Sequence, residues 1–214
     1  MLHDIKGAIF DLDGTLVDSM WVWEQIDIDY LKEKGYLMPG DLKNEILHLS
    51  FSQTALYFKN RFQIEDSLDD ILNTWHNMAF NHYSNDVKLK KGAKKFLQLL
   101  KKSGIKIGLA TSNSTPLLKA CLENNEIFHY FDAITTTDET SQGKDQPDVY
   151  LLAAKKLGVE PNKCIVFEDI LPAIQGAKSA GMKVVAVKDN LSIHSEEELT
   201  KYADKYINSF LELI

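Results

Sequence analysis

The stretch AIFDLDGTLVD, residues 8–18, ends an apolar run in Asp11, Asp13 and Asp18. A buried carboxylate costs on the order of several kcal/mol unless it is paired, hydrogen-bonded or bound to metal. Two acids two residues apart at the end of a buried strand therefore call for neutralising partners elsewhere in the chain. Three further stretches have matching chemistry: LATSNS (109–114), Lys144 followed by Pro147-Asp148, and Glu168-Asp169. Gly14 lets the chain turn sharply, so that both carboxylates of the first stretch can face one point. Thr111, Ser112, Asn113 and Ser114 lead into a helical pattern, where hydroxyls and free backbone N–H groups make a seat for phosphate. Taken singly, these residues read as a helix cap, a turn and a surface charge. Their meaning depends on whether the fold brings them together.

The elements that would position them alternate. Apolar runs of strand length lie at 7–12, 106–111, 132–137, 163–169 and 183–188, and amphipathic helical patterns at 92–103, 115–125, 147–157 and 172–180. Unbroken apolar strands separated by helices imply an α/β fold, a parallel sheet with helices on both faces and right-handed crossovers. All four chemical stretches then fall at carboxyl ends of strands or just beyond them and converge on one edge of the sheet. Residues 17–85 break the alternation. They hold all three tryptophans, 21, 23 and 75, in helical periodicity, and read as a helical insert growing from the carboxyl end of the first strand.

With 214 residues and 44% hydrophobic content, the chain can form one large domain or a core with an insert. Its 31 acidic against 24 basic residues give a net charge of −7, which argues against nucleic acid and anionic membrane as partners. Arg61 is the single arginine, so positive charge for an anionic ligand must come from lysine. Cys121 and Cys164 lack metal or redox spacing and read as reduced core thiols. No leader or membrane-spanning pattern is present, and a cytoplasmic, monomeric protein is expected.

The order and spacing of Asp11-x-Asp13-Gly14-Thr15-Leu16-x-Asp18-Ser19, Thr111-Ser112-Asn113, Lys144-x-x-Pro147-Asp148 and Glu168-Asp169, with Gly176-Ala177-x-x-Ala180-Gly181-Met182 behind them, resemble the haloacid dehalogenase superfamily. The likeness covers about residues 1–188 and is greatest to its β-phosphoglucomutase-like branch. It implies a Rossmann-like core of residues 1–16 and 86–214 with a helical cap domain of residues 17–85. It further implies a phosphatase in which Asp11 is the nucleophile and Asp13 the general acid and base. Thr111, Ser112, Asn113 and Lys144 would hold the phosphoryl group. Mg²⁺ would be held by Asp11, the backbone carbonyl of Asp13 and Asp169, with Glu168 a further ligand or an outer partner.

The resemblance also sets expectations about substrate. A small phosphorylated metabolite, and within this branch a sugar phosphate, is implied. A phosphosugar mutase would need a cap arginine for a second phosphate, but the stretch 49–53 offers Gln53 there, and Arg61 lies further on. That favours a plain phosphatase over a mutase, and over a non-catalytic binding protein on the same fold. Ile170 stands where the branch usually has a serine, and Ala173 where a glycine is common. Trp21 and Trp23 either line the substrate pocket or pack the insert. His48, His76 and His82 are expected in surface or packing roles, and Asp18 and Ser19 in shaping the hinge and capping the first helix of the insert.

Overall fold

The structure, a computed structural model, describes residues 3–46, 49 and 51–214. The chain runs β1 (Gly7–Phe10), β2 (Val17–Asp18), α1 (Trp21–Glu33), α2 (Leu42–Ile46), α3 (Phe51–Arg61), α4 (Leu68–Asn85) and β3 (Lys88–Leu89). It continues with α5 (Ala93–Lys102), β4 (Lys106–Thr111), α6 (Thr115–Asn124), β5 (Ala133–Thr136), α7 (Asp148–Leu157) and β6 (Cys164–Glu168). It ends with α8 (Leu171–Ser179), β7 (Lys183–Val187), α9 (Glu196–Thr200) and β8 (Lys205–Ile207). Six parallel strands form one sheet in the order β5-β4-β1-β6-β7-β8. Strands are added outward in both directions from β1, so the topological switch, where open α/β sheets bind ligands, lies at its carboxyl end.

Strand residues alternate between two hydrophobic cores, as a period of two requires. Ala8 and Phe10 of β1, Ile165 and Phe167 of β6, and Val185 and Val187 of β7 point to one face. Ile9, Val166, Val184 and Ala186 point to the other. There they pack against Val149 and Ala153 of α7, Ile174 and Ala177 of α8, and Leu199 of α9. On the first face, Phe10 and Phe167 stack with centroids 4.5 Å apart, and Phe96 and Phe210 close the cluster. Each buried ring contributes roughly 1.5–3 kcal/mol. The stacked pair sits one residue before Asp11 and Glu168, which fixes the strand ends that carry the acids.

The strand expected to run to residue 12 stops at Phe10. The next residues fold into a tight loop in which Leu12 O accepts from Leu16 N at 2.9 Å and Gly14 N donates to Val17 O at 3.1 Å. Gly14 takes a left-handed φ of 76°, and a Cβ there would collide with the Asp169 carboxylate. The other four expected strands lie within a residue of the observed ones, as do the four helices. Three features have no counterpart in the sequence reading: β8, a three-residue edge strand; the short helix α9; and the antiparallel ribbon pairing Val17 with Leu89 and Asp18 with Lys88.

The helices α1–α4 lie between the two strands of that ribbon. Ser67 caps α4 through a reciprocal box with Asp70, and α4 packs along α6 of the sheet layer. Its last turns are thereby held over the carboxyl ends of the strands. Lys90, just past the ribbon, pairs with the almost buried Asp189 at 2.8 Å and ties the ribbon to the end of β7.

One close approach holds the Lys144 loop. Gly176 of α8 lies beneath it, and a Cβ there would run into the carbonyl of Lys144 and come within 2.9 Å of that of Gln146. Gly176→Ala is expected to destabilise the protein by about 1–3 kcal/mol through overpacking. Thermal unfolding measures it, and an unchanged melting temperature would contradict the packing described.

Candidate active site

Asp11 leaves the sheet at the end of β1, its N–H donating to Phe167 O at 3.0 Å. Lys144 reaches it across the edge of the sheet, with Nζ 2.6 Å from Asp11 Oδ1 and in direct contact with Glu168 Oε1. Tyr150 donates its hydroxyl to the same Glu168 oxygen at 2.8 Å, whereas Oε2 is buried with no partner. Thr15 donates to Asp169 Oδ1 at 2.9 Å. One carboxylate oxygen from each of Asp11, Glu168 and Asp169 lies within 4.8 Å of the others. Three buried carboxyls thus share one ammonium, which touches two of them, Asp11 and Glu168.

The electrostatics follow from that imbalance. Burial pushes Glu168 up to about 8, against the lowering effect of Lys144 and with help from Asp11 and Asp169. Burial and then the Asp11 charge push Asp169 up to about 7, while the Thr15 hydrogen bond opposes the shift. Asp11 is raised mainly by burial, with Lys144 pulling the other way and Asp13 adding to the rise. For Lys144, burial favours the neutral amine, but the charges of Asp11 and Glu168 outweigh it and hold the ammonium above its ordinary range. Tyr150 is raised well above the usual phenol range by burial and by Glu168, so it remains a donor.

Asp13 sits above this group in a separate network. Ser19 and Tyr83 donate to Oδ1 at 2.6 and 2.5 Å, and the Asn113 side-chain amide donates to Oδ2 at 2.8 Å. Tyr83 comes from α4, so the helical segment itself touches this acid. Thr111, buried, accepts from Asn113 N at 3.0 Å, and Ser112 is exposed beside it.

A cavity of about 680 Å³ opens over these groups. Asp11, Asp13, Thr111, Ser112, Asn113, Lys144 and Asp169 all line it, whereas Glu168 lies beneath it, enclosed by Lys144 and Tyr150. The helical segment contributes the opposite wall.

A sequence model of the haloacid dehalogenase-like hydrolases matches residues 8–187. The chain belongs to that family. A phosphorylated carbohydrates phosphatase of Thermotoga maritima is 30% identical over 181 residues, covering 84% of this chain and 83% of that protein. A bifunctional riboflavin kinase/FMN phosphatase of Arabidopsis thaliana is 30% identical over 207 residues, 96% of this chain. The chain spans about half of the Arabidopsis protein, 54% of its length. Among solved structures, a β-phosphoglucomutase-like protein of Thermotoga maritima superposes with a TM-score of 0.85 at 27% identity, over 95% of this chain and 94% of that one.

In this hydrolase several residues act at the site that motif reading did not single out. Tyr83 and Tyr150 carry no local pattern; they reach Asp13 and Glu168 only through the packing of α4 and α7. Ser19 donates to Asp13, not to the start of α1, whose N-cap position is Met20 with no side-chain bond. Trp21 donates to Asp18 O at 2.9 Å and packs on His82, while Trp23 and Trp75 line the cavity. His76 lines the cavity too, against the expectation of a surface or packing role. His82 pairs with Asp86 at 2.8 Å, and His48, with Ser50 of the stretch 49–53, lies outside the described residues. Both cysteines are buried thiols. Ile170, also on the cavity, holds the N-cap position of α8 without a side-chain bond.

The carboxyl triad makes the metal-free protein sensitive to pH. Because Asp169 is pushed up to about 7 in the folded protein from an ordinary value of 3.8, the stability its proton confers is fully present below about pH 4 and is lost as pH rises through 7. Asp169→Asn should therefore stabilise the metal-free protein at pH 8, by on the order of 2 kcal/mol, and have little effect at pH 4. Added divalent cation should raise the melting temperature of the parent protein and not of the variant. Melting curves in EDTA and in Mg²⁺ measure both; destabilisation of the variant at pH 8 in EDTA would contradict the charge imbalance.

Proposed function

We propose that this protein is a Mg²⁺-dependent phosphatase that hydrolyses a small phosphorylated metabolite through an aspartyl-phosphate on Asp11. The observation that carries the reading is the Lys144 ammonium clamped between Asp11 and Glu168 at the floor of a cavity whose mouth holds Asp13. The helices of residues 17–85 act as a cap over a core made of residues 1–16 and 86–214.

The donor set fits a hard divalent cation. It is all oxygen, it carries two more negative charges than Lys144 neutralises, and Glu168 Oε2 is buried without a partner. Asp11, Asp169 and the Asp13 carbonyl would hold the ion, with Glu168 a ligand or a neighbour to its waters. When bound, it would neutralise the phosphoryl oxygens and let the carboxylates ionise.

In the first step an Asp11 carboxylate oxygen attacks phosphorus, the ester P–O bond breaks, and Asp13 passes its proton to the leaving oxygen. In the second, Asp13, now a carboxylate, takes a proton from water, whose oxygen attacks phosphorus and releases Asp11 and inorganic phosphate. The hydroxyls of Ser19 and Tyr83 can each donate or accept, so the same network suits Asp13 in both protonation states. Lys144 and Thr111 hold phosphoryl oxygens, and the exposed Ser112 lies beside them. The Asn113 side-chain amide donates to Asp13 and its backbone N–H to Thr111 Oγ1, so a phosphate contact from Asn113 would take one of these bonds over.

The mutase reading is not favoured. Arg61 is paired with Asp41 at 2.9 Å and Glu45 at 2.7 Å away from the cavity, and Lys144 is the only cation lining it among the described residues. The two phosphatases named above, of Thermotoga maritima and Arabidopsis thaliana, support hydrolysis.

Asp11→Asn should abolish phosphate release from any substrate, and Asp13→Asn should reduce kcat by about 10²–10⁴-fold. EDTA should remove the activity and Mg²⁺ restore it. Phosphate release from p-nitrophenyl phosphate measures all three. Full activity in Asp11→Asn would eliminate the mechanism.

A further inference from the structure

The wall of the cavity facing the phosphate end is made mainly of large apolar side chains. Trp23 and Phe51 meet edge to face with centroids 5.4 Å apart, and Phe51 meets Trp75 at 5.6 Å. Ile26 and Met20 extend this surface, and Ile170 adds to it from the core side. Trp23 and Phe51 are 39% and 43% exposed, so large rings stand open to the cavity and gain from being covered by an apolar group. A sugar hydroxyl brought against these rings would lose its water without an equal partner. The uncharged polar groups lining the cavity beyond the floor are few, among them Thr54, His76, Ser114 Oγ and the Trp75 indole N–H.

Set into this wall is one carboxylate, Asp27 of α1. It is half-buried, and among the described residues no donor or cation bonds to it. Burial, and then Glu24, push its pKa up to about 7. A carboxylate in that position repels a second phosphate or a substrate carboxylate and stabilises an incoming N–H or ammonium group.

We propose that the alcohol portion of the substrate is a flat, mainly apolar ring system bearing a nitrogen donor, and that Asp27 is the residue that receives that donor. The proposal rests on the phosphatase reading above and narrows it from small metabolites to heteroaromatic or amine-bearing aromatic phosphomonoesters. The phosphate is held at the floor by Lys144, the ring lies against Trp23, Phe51 and Trp75, and the donor meets Asp27.

Three phosphate esters of primary alcohols separate the possibilities: pyridoxamine 5′-phosphate (ring and ammonium), benzyl phosphate (ring alone) and sorbitol 6-phosphate (polyol). With the full chain and Mg²⁺ at pH 8, where Asp27 is ionised, kcat/KM should be highest for the first and at least about tenfold lower for the polyol. Asp27→Asn should reduce the ratio of pyridoxamine 5′-phosphate to benzyl phosphate by about 10- to 100-fold, the range for removing a charged partner. Preference for sorbitol 6-phosphate, or an unchanged ratio in Asp27→Asn, would overturn the proposal. Binding of the same three esters to Asp11→Asn, followed by calorimetry, gives a readout that does not need turnover. If no ester is hydrolysed the phosphatase reading fails, while the order of binding still supports or overturns the role of Asp27.

Discussion

The site depends on a single buried ammonium. Lys144 is almost entirely enclosed, and an enclosed charge persists only if its partners exceed the penalty of leaving water. Asp11 and Glu168 do so, but with Asp169 they exceed neutrality, and the surplus negative charge has the sign and chemistry of a divalent-cation site. Much of the fold can be understood as support for this cluster. The stacked Phe10 and Phe167 fix the two strand ends, Tyr150 holds Glu168 from α7, and Gly176 lets the Lys144 loop settle onto α8. A loose lysine would solvate itself at the surface and leave three carboxyls repelling one another.

A second network crosses from the sheet to the helical segment. Asp13 accepts from Asn113 on the β4–α6 connection and from Tyr83 on α4, with Ser19 between them. Burial and the neighbouring Asp13 raise the Tyr83 phenol well above its ordinary range, so Tyr83 stays a donor whenever Asp13 is charged. On the proposed mechanism the orientation of the acid therefore depends on where α4 sits. The packing of α4 along α6 and the Lys90–Asp189 pair near the ribbon set that position.

The sequence revealed those features that are local. Apolar runs bounded by turns gave five of the six sheet strands, because strands buried on both faces carry no polar interruption. The eight residues expected at the site lie on motifs at the carboxyl ends of those strands, and a parallel sheet brings such ends to one edge whatever the intervening sequence. What was not legible is non-local. Lys205–Ile207 is too short and polar to stand out and becomes a strand only by pairing with β7. Tyr83 and Tyr150 look like ordinary core aromatics until packing brings their hydroxyls to an acid. Ser19 was misassigned for the same reason: its spacing suits a helix cap, but the loop geometry around Gly14 turns it toward Asp13.

The two ends of the cavity obey different physics. At the phosphate end, geometry is fixed by charge, and a displaced Lys144 would leave buried carboxyls uncompensated. At the far wall, the rings of Trp23 and Phe51 hold position through edge contacts in a smaller cluster, and exchange of one ring for another would leave the charged floor undisturbed. Ile170 fits this division. A hydroxyl there would cap α8, and an isoleucine forgoes that stabilisation, on the order of 1 kcal/mol. It instead extends the apolar surface to the edge of the charged floor. The trade is coherent if the group leaving with the ester oxygen is itself apolar close to the phosphate, as a ring on a single methylene would be.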